Sequence, residues 1–143
     1  MLASAGVSAF ALRAAEALRR RHNWVQLGKF GAVGLSGYAI NLGVYSLVLG
    51  WGVHTAAAVS FVVSAANNYW WNRHWTFAHA KGNFAYQGSR FFAVSFLAFL
   101  VNQGWLFVFR DWLGWGKLVA EAVAIILVVP LNFLGNKLWS FRR

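Results

Sequence analysis

The sequence predicts an all-α membrane protein, with four transmembrane helices arranged as two parallel two-helix repeats and both termini in the cytoplasm. Three observations carry this expectation. Hydrophobic residues make up 59% of the 143-residue chain and charged residues 11%, a balance typical of lipid-embedded helices rather than of a water-soluble core. No Asp, Glu, Lys or Arg occurs between residues 30 and 72. Finally, the phrase NYWWNRHWTF at residues 68–77 returns as NFLGNKLWSF at residues 132–141. Each copy closes an apolar run with a cation set among asparagine and tryptophan.

The first 28 residues form a basic segment in which the arginines follow the apolar part, the reverse of a secretory signal peptide, so the segment is expected on the mature protein. Phe10, Leu12 and Leu18 beside Arg13, Glu16, Arg19, Arg20 and Arg21 fit a short interfacial helix, and a frayed basic tail is the competing reading. The membrane domain occupies residues 29–143. A bilayer crossing takes about 20 apolar residues, and spans are placed at 30–49, 53–72, 91–109 and 118–138. Short turns at residues 50–52 and 110–116 join them into two hairpins.

Orientation follows from the thirteen Lys and Arg residues. All but Arg110 and Lys117 fall in the N-terminal segment, the loop between the hairpins or the C-terminus, which places those parts in the cytoplasm. Tryptophans 24, 70, 71, 75 and 139 fall near that interface and 51, 112 and 115 near the outer one, as aromatic belts. Trp105 lies deeper.

The two halves align as repeats over residues 29–77 and 90–141. At an offset of 61, Lys29, Phe30, Val33 and Asn41 meet Arg90, Phe91, Val94 and Asn102. After a longer second turn the offset becomes 64: GWG at 50–52 meets GWG at 114–116, and Asn68, Asn72, Arg73, Trp75 and Phe77 meet Asn132, Asn136, Lys137, Trp139 and Phe141. Because each unit crosses twice, both enter from the same side and are related by an axis near the membrane normal. Gln103, Glu121 and Pro130 break the pattern, standing opposite Leu42, Ala57 and Ala66.

Polar side chains at membrane depth are the informative ones. Asn41 and Asn102 fall roughly 16 Å inside at 1.5 Å per residue. Gly34, Tyr38, Asn41 and Tyr45 share a helix face, and so do Glu121, Ile125, Val128, Asn132 and Asn136. Two readings stand for the asparagines: interhelical packing contacts, or a polar groove formed by Asn41, Asn68, Asn102, Gln103, Glu121 and Asn132. Glu121 is either a functional acid or an ion-pair partner of Lys117 or Arg110. At the cytoplasmic helix ends, Lys29, Arg73, Arg90 and Lys137, with the amides of Asn72 and Asn136, either anchor topology or bind a lipid phosphate.

The net charge of +10 is spread beside apolar segments, so anionic membrane lipids are the expected partners and nucleic acid is not. With no cysteine, thiolate and disulfide chemistry are excluded. The chain lacks HExxH, GxxxxGK[ST] and GxSxG patterns and has three acidic residues, so no enzyme activity, metal or cofactor is expected.

The opening KFGAVG with Asn41, the phrase NYWWNRHWTF, RFFAVS with Asn102, and NFLGNKLWSF together resemble the GtrA-like family, small four-helix bacterial membrane proteins associated with polyprenyl-phosphate-linked sugars. The resemblance covers about residues 25–143. It implies flipping of polyprenyl phosphate, or of a polyprenyl-phosphate-linked sugar, across the cytoplasmic membrane for cell-envelope glycan synthesis. Some members are instead viewed as anchors for glycosyltransferases, so such an enzyme is an implied partner. A scaffold of that kind and a small-molecule exporter are the alternative readings. Gly34, Gly37 and Gly43 would permit close helix contact in a homodimer.

Overall fold

The computed structural model describes residues 19–142, together with residues 9, 11–13, 15 and 16. The described residues before Arg20 are helical and exposed. Phe10 and Leu18, which carry the expected apolar face of the N-terminal segment, lie outside the described residues, as does Arg143.

Four long helices dominate the chain: α1 (Arg21–Val48), α2 (Val53–Trp71), α3 (Phe84–Phe107) and α4 (Lys117–Gly135). No strand occurs among the described residues. Single π-helical turns follow three of them, at Asn72–Thr76, Val108–Trp112 and Asn136–Ser140. Two of these are the C-terminal halves of the repeated phrase. Helices α1 and α3 begin at Arg21 and Phe84, well before residues 30 and 91 where hydropathy places the spans. Helix geometry does not stop where apolarity does. At α3 the Asn83 side chain accepts a hydrogen bond from the Tyr86 amide at 2.9 Å, a cap that satisfies one of the free N–H groups of the first turn.

Among the described residues, three stretches are long and apolar enough to cross a membrane: Arg21–Trp51, Phe84–Trp112 and Lys117–Ser140. The expected second span, α2, is diluted by His54, Thr55, Asn67, Asn68 and two serines that donate to backbone carbonyls, Ser60 to Ala57 O and Ser64 to Gly37 O. Ser60 and Ser64 are buried, so these two hydroxyls face protein, whereas His54 and Thr55 are exposed.

Helix α1 packs along α2 and α3 along α4, and the two pairs meet through α1 with α4 and α2 with α3. Phe77 and Phe141 stack at the centre of the meeting point, with ring centroids 4.7 Å apart and planes at 17°. The surrounding contacts come in counterparts. Phe30 lies 6.4 Å from Phe77, and Phe91 lies 6.2 Å from Phe141. Phe30 lies 5.7 Å from Phe133, and Phe91 lies 5.6 Å from Tyr69. All six rings are buried, at 2–5% exposure. The contacts place the starts of α1 and α3 and the ends of α2 and α4 at one end of the bundle. At the other end, Phe109 stacks on Trp115 at 4.7 Å beside Ala120 and Ala124.

The two GWG turns are less alike than their letters. In the first, Gly52 has φ +106°, whereas in the second Gly114 has φ +68°, so the glycine that takes up the left-handed backbone is the last of one motif and the first of the other. The extra residues of the second turn shift the point at which the chain must reverse.

Truncating either central ring leaves a void in the meeting point. Phe77→Ala and Phe141→Ala are each expected to cost about 3 kcal/mol, measured by reversible unfolding in neutral detergent. The double variant should cost less than the sum by about 1 kcal/mol, because the two rings stack on each other.

Candidate functional site

The repeated phrase builds its site from helix ends that overrun into a π-helical turn. The wider turn leaves one residue more per loop of hydrogen bonds, and such turns often accompany functional positions. Here they aim the two phrase cations across the boundary between the helix pairs. Arg73 donates from Nη1 to the Gln87 side chain of α3 and from Nη2 to Gly82 O at 2.8 Å. Lys137 donates from Nζ to Gln26 Oε1 of α1 at 2.6 Å and to Asn23 Oδ1. Gln26 and Gln87 are separated by 61, the offset of the first repeat segment. Each cation thus grips the glutamine of the other pair. The glutamines pass the link on, from Gln26 Nε2 to Thr76 O at 3.3 Å and from Gln87 Nε2 to Ala80 O at 2.6 Å. Both are buried.

The other two expected docking cations sit on the aromatic residues of their own phrase. Lys29 Nζ lies 5.3 Å from the centre of the Trp75 ring and Arg90 lies 5.0 Å from that of Trp139. Arg90 also donates to Trp139 O at 2.9 Å and to the Tyr86 hydroxyl. Cation–π contact of this kind holds a charge without neutralising it. Of the six expected phosphate-binding residues, Arg73, Arg90 and Lys137 are therefore held by internal acceptors, and Asn72 and Asn136 are buried at 2% and 0% exposure.

The asparagines of the two phrases differ in how they are satisfied. In the second, Ser140 Oγ donates to Asn136 Oδ1 at 2.8 Å, and Asn136 Nδ2 donates to Asn132 Oδ1 at 2.9 Å. This chain is closed. In the first, Asn68 Oδ1, Asn72 Oδ1 and Thr76 Oγ1 are all buried without a hydrogen-bond partner among the described residues. Leaving a buried polar atom unpaired costs about 1–3 kcal/mol, so the first phrase carries unused acceptor capacity that the second does not.

Asn68, Asn72 and Asn132 line one cavity of about 130 Å³ that receives residues from all four helices, including Gly34, Ser64 and Ser95. Phe30 and Phe91 form its apolar wall. Asn68 is pressed over Gly37, where a Cβ would lie 2.1 Å from Asn68 Oδ1, and Ser64 Oγ donates to Gly37 O at 2.8 Å. The absent side chain at Gly37 is what lets α1 and α2 approach here. The space suits a few water molecules or part of a polar head group.

The remaining members of the expected polar groove do not line this cavity. Asn41, Asn102 and Glu121 are half-buried elsewhere on their helices and Gln103 is exposed. Asn102 Oδ1 is buried without a hydrogen-bond partner among the described residues. Pro130 stays within α4, which runs unbroken to Gly135. Sequence reasoning missed Gln26, Gln87, Ser64, Ser95 and Thr76. The two glutamines were within reach of the alignment, three residues before Lys29 and Arg90. Ser64 and Ser95 had no such signal, since their counterparts at the repeat offsets are Val128 and Gly34. Among the described residues, no group of three or more His, Asp or Glu is placed to hold a metal ion.

Residues 29–141 match the family model described as GtrA/DPMS, transmembrane domain. The chain is also 31% identical over 117 residues to "Uncharacterized membrane protein YngA" of Bacillus subtilis (strain 168), a match covering 80% of this chain and 78% of that protein.

If Arg73 works by holding α3, Arg73→Ala and Gln87→Ala should each lower unfolding stability by about 1.5–3 kcal/mol. Their double variant should show a coupling of about 1 kcal/mol, and independent losses would show that the pair does not act as a clasp. Gly37→Ala should displace Asn68 and cost about 1–3 kcal/mol. Asn68→Ala in the same background should recover part of that loss.

Proposed function

The chain belongs to the GtrA/DPMS transmembrane-domain family of membrane proteins, and from that premise we propose that it moves polyprenyl phosphate, or a polyprenyl-phosphate-linked sugar, across the bacterial cytoplasmic membrane for cell-envelope glycan synthesis. All four helices cross the bilayer in this reading, as two parallel two-helix repeats with both termini in the cytoplasm. Helix α2 can cross despite its polar content because Ser60 and Ser64 are buried and Ser64 bonds to α1, which removes those groups from lipid. The excess of Lys and Arg at the end that carries both phrases supports that orientation.

The observation that carries the proposal is the polar cavity among the four helices, with the unpaired oxygens of Asn68 and Asn72 in its wall. In a bundle whose outer surface is apolar, a polar hollow reached from all four helices has no packing use that a larger apolar side chain would not serve better. Oxygen acceptors suit sugar hydroxyls, which are donors. The phosphate would stay nearer the cations at the phrase end while the polyprenyl chain remained against the exposed helix faces. A polar path of this kind lowers the cost of carrying the head group, about 2.5–3.5 kcal/mol or more for a charge at mid-bilayer. Four helices make a short wall, and Gly34 and Gly43, which meet nothing within 4 Å, leave room for a second copy to complete it.

Purified protein in vesicles carrying a fluorescent polyprenyl-phosphate sugar should speed its exchange between leaflets. Asn72→Leu, which fills the cavity and removes an acceptor, should slow that exchange about tenfold, equivalent to about 1.4 kcal/mol of barrier. An exchange rate equal to that of empty vesicles would remove the translocation reading and leave the anchor for a glycosyltransferase.

A further inference from the structure

A second hollow, separate from the inner cavity, opens at the phrase end of the bundle where the N-terminal segment, the loop after the first phrase and the C-terminus meet. It measures about 920 Å³ and shares no lining residue with the inner cavity. Four cations face it, Arg13, Arg20, Lys137 and Arg142, against one carboxylate, Glu16. That balance is unusual for a concave surface, because like charges brought together repel unless an anion joins them. Lys137 does not escape the imbalance: its partners Asn23 and Gln26 are neutral amides that position the ammonium without cancelling it.

The floor is as definite as the rim. Phe77 and Phe141, 3% exposed each, stack below the cations, and Gln26 is 8% exposed. A rigid apolar base lowers the local dielectric and strengthens the attraction of the rim for an anion. His79 completes the wall from the loop side. The volume is within the range of small-molecule sites, about 300–1,000 Å³. Arg13, Glu16, Arg20 and Gln26 all precede residue 29, where the family match begins. The hollow is therefore built by adding this chain's own N-terminal segment to the shared domain.

We infer that this cleft is a binding site for a phosphate monoester or diphosphate group, held by the guanidinium forks of Arg13, Arg20 and Arg142 over the ammonium of Lys137. Arginine forks match phosphate oxygens two at a time, and a phosphate near neutral pH carries close to the charge that the rim lacks. The group can arrive on a lipid head or on a free solute. Occupancy ties the N-terminal segment to the C-terminus and the middle loop. The site does not depend on translocation, since its occupancy can be read with no membrane present.

The test is calorimetric titration of the full chain in neutral detergent with two probes, inorganic pyrophosphate and short-chain dihexanoyl phosphatidic acid. Binding of either probe that weakens about tenfold or more in the triple variant Arg13→Gln, Arg20→Gln, Arg142→Gln supports the site. Pyrophosphate alone identifies a soluble source, and phosphatidic acid alone a lipid head. All three arginines are exposed or lie at the rim, and a matching unfolding curve checks that the variant is folded. Glu16→Gln changes the balance in the other direction and should tighten binding about twofold, a gain that misfolding would not produce. Arg110→Gln, at the opposite end of the bundle, should leave affinity unchanged. No binding of either probe, wild-type affinity in the triple variant, or an equal loss in Arg110→Gln overturns the proposal. A failed exchange assay with intact phosphate binding would remove translocation and leave this site standing.

Discussion

The architecture depends on a reciprocal clasp. Arg73 at the end of α2 holds Gln87 of α3, and Lys137 at the end of α4 holds Gln26 of α1. In lipid, apolar surface supplies no net force between helices, because hydrocarbon is an equally good neighbour, so association relies on close packing and on polar contacts that exclude alternatives. Two buried glutamines, each with a charged donor from the opposite pair, define which helix faces which. Between them the Phe77–Phe141 stack fills the space on which all four helix ends converge. Without the clasp each pair would still be a hairpin, and the aromatic contacts alone would set one hairpin against the other.

The same construction explains why the phrase contains both a cation and asparagines. The cation must leave the helix axis to reach across to another pair, and the π-helical turn gives it that direction. Where the helix widens, the asparagine at the start of the turn can donate back to the asparagine four residues before it. In the second phrase this is what happens, through Asn132, Asn136 and Ser140. In the first, Thr76 replaces the serine and the oxygens stay unpaired. One architecture built twice therefore produces one closed corner and one corner with unpaired oxygens among the described residues.

Two polar hollows follow, separated by the aromatic layer. The inner cavity lies among the helices behind Phe30 and Phe91, and the outer cleft rests on Phe77 and Phe141. Asparagine and serine side chains supply the polar groups of the first, and cations those of the second. An amphiphile whose head carries both hydroxyls and phosphate would find complementary chemistry on the two sides of a single layer of rings.

Much of this was legible from residues alone. Composition and the charge-free run identify a helical membrane protein, and the doubled phrase identifies the corner at which its helices meet. The pairing of Phe30 with Phe91 and of Phe77 with Phe141 follows from the offsets. Hydropathy was a poorer guide to length, since α1 and α3 run on into polar turns held by caps and side chains rather than by lipid. It was also a weaker guide at α2, where the span expected at 53–72 carries Ser60 and Ser64, which are buried. The sequence by itself determined the helices, the end at which cations gather and the likeness of the halves, because these are properties of periodicity and charge along one chain. Only the tertiary structure decided that Arg73 and Lys137 reach across rather than outward, that Asn68, Asn72 and Asn132 share a cavity while Asn41, Asn102, Gln103 and Glu121 do not, and that an N-terminal arginine stands over Lys137. Those are distances between residues far apart in the chain, and they depend on how one helix pair is rotated against the other, which no local pattern encodes.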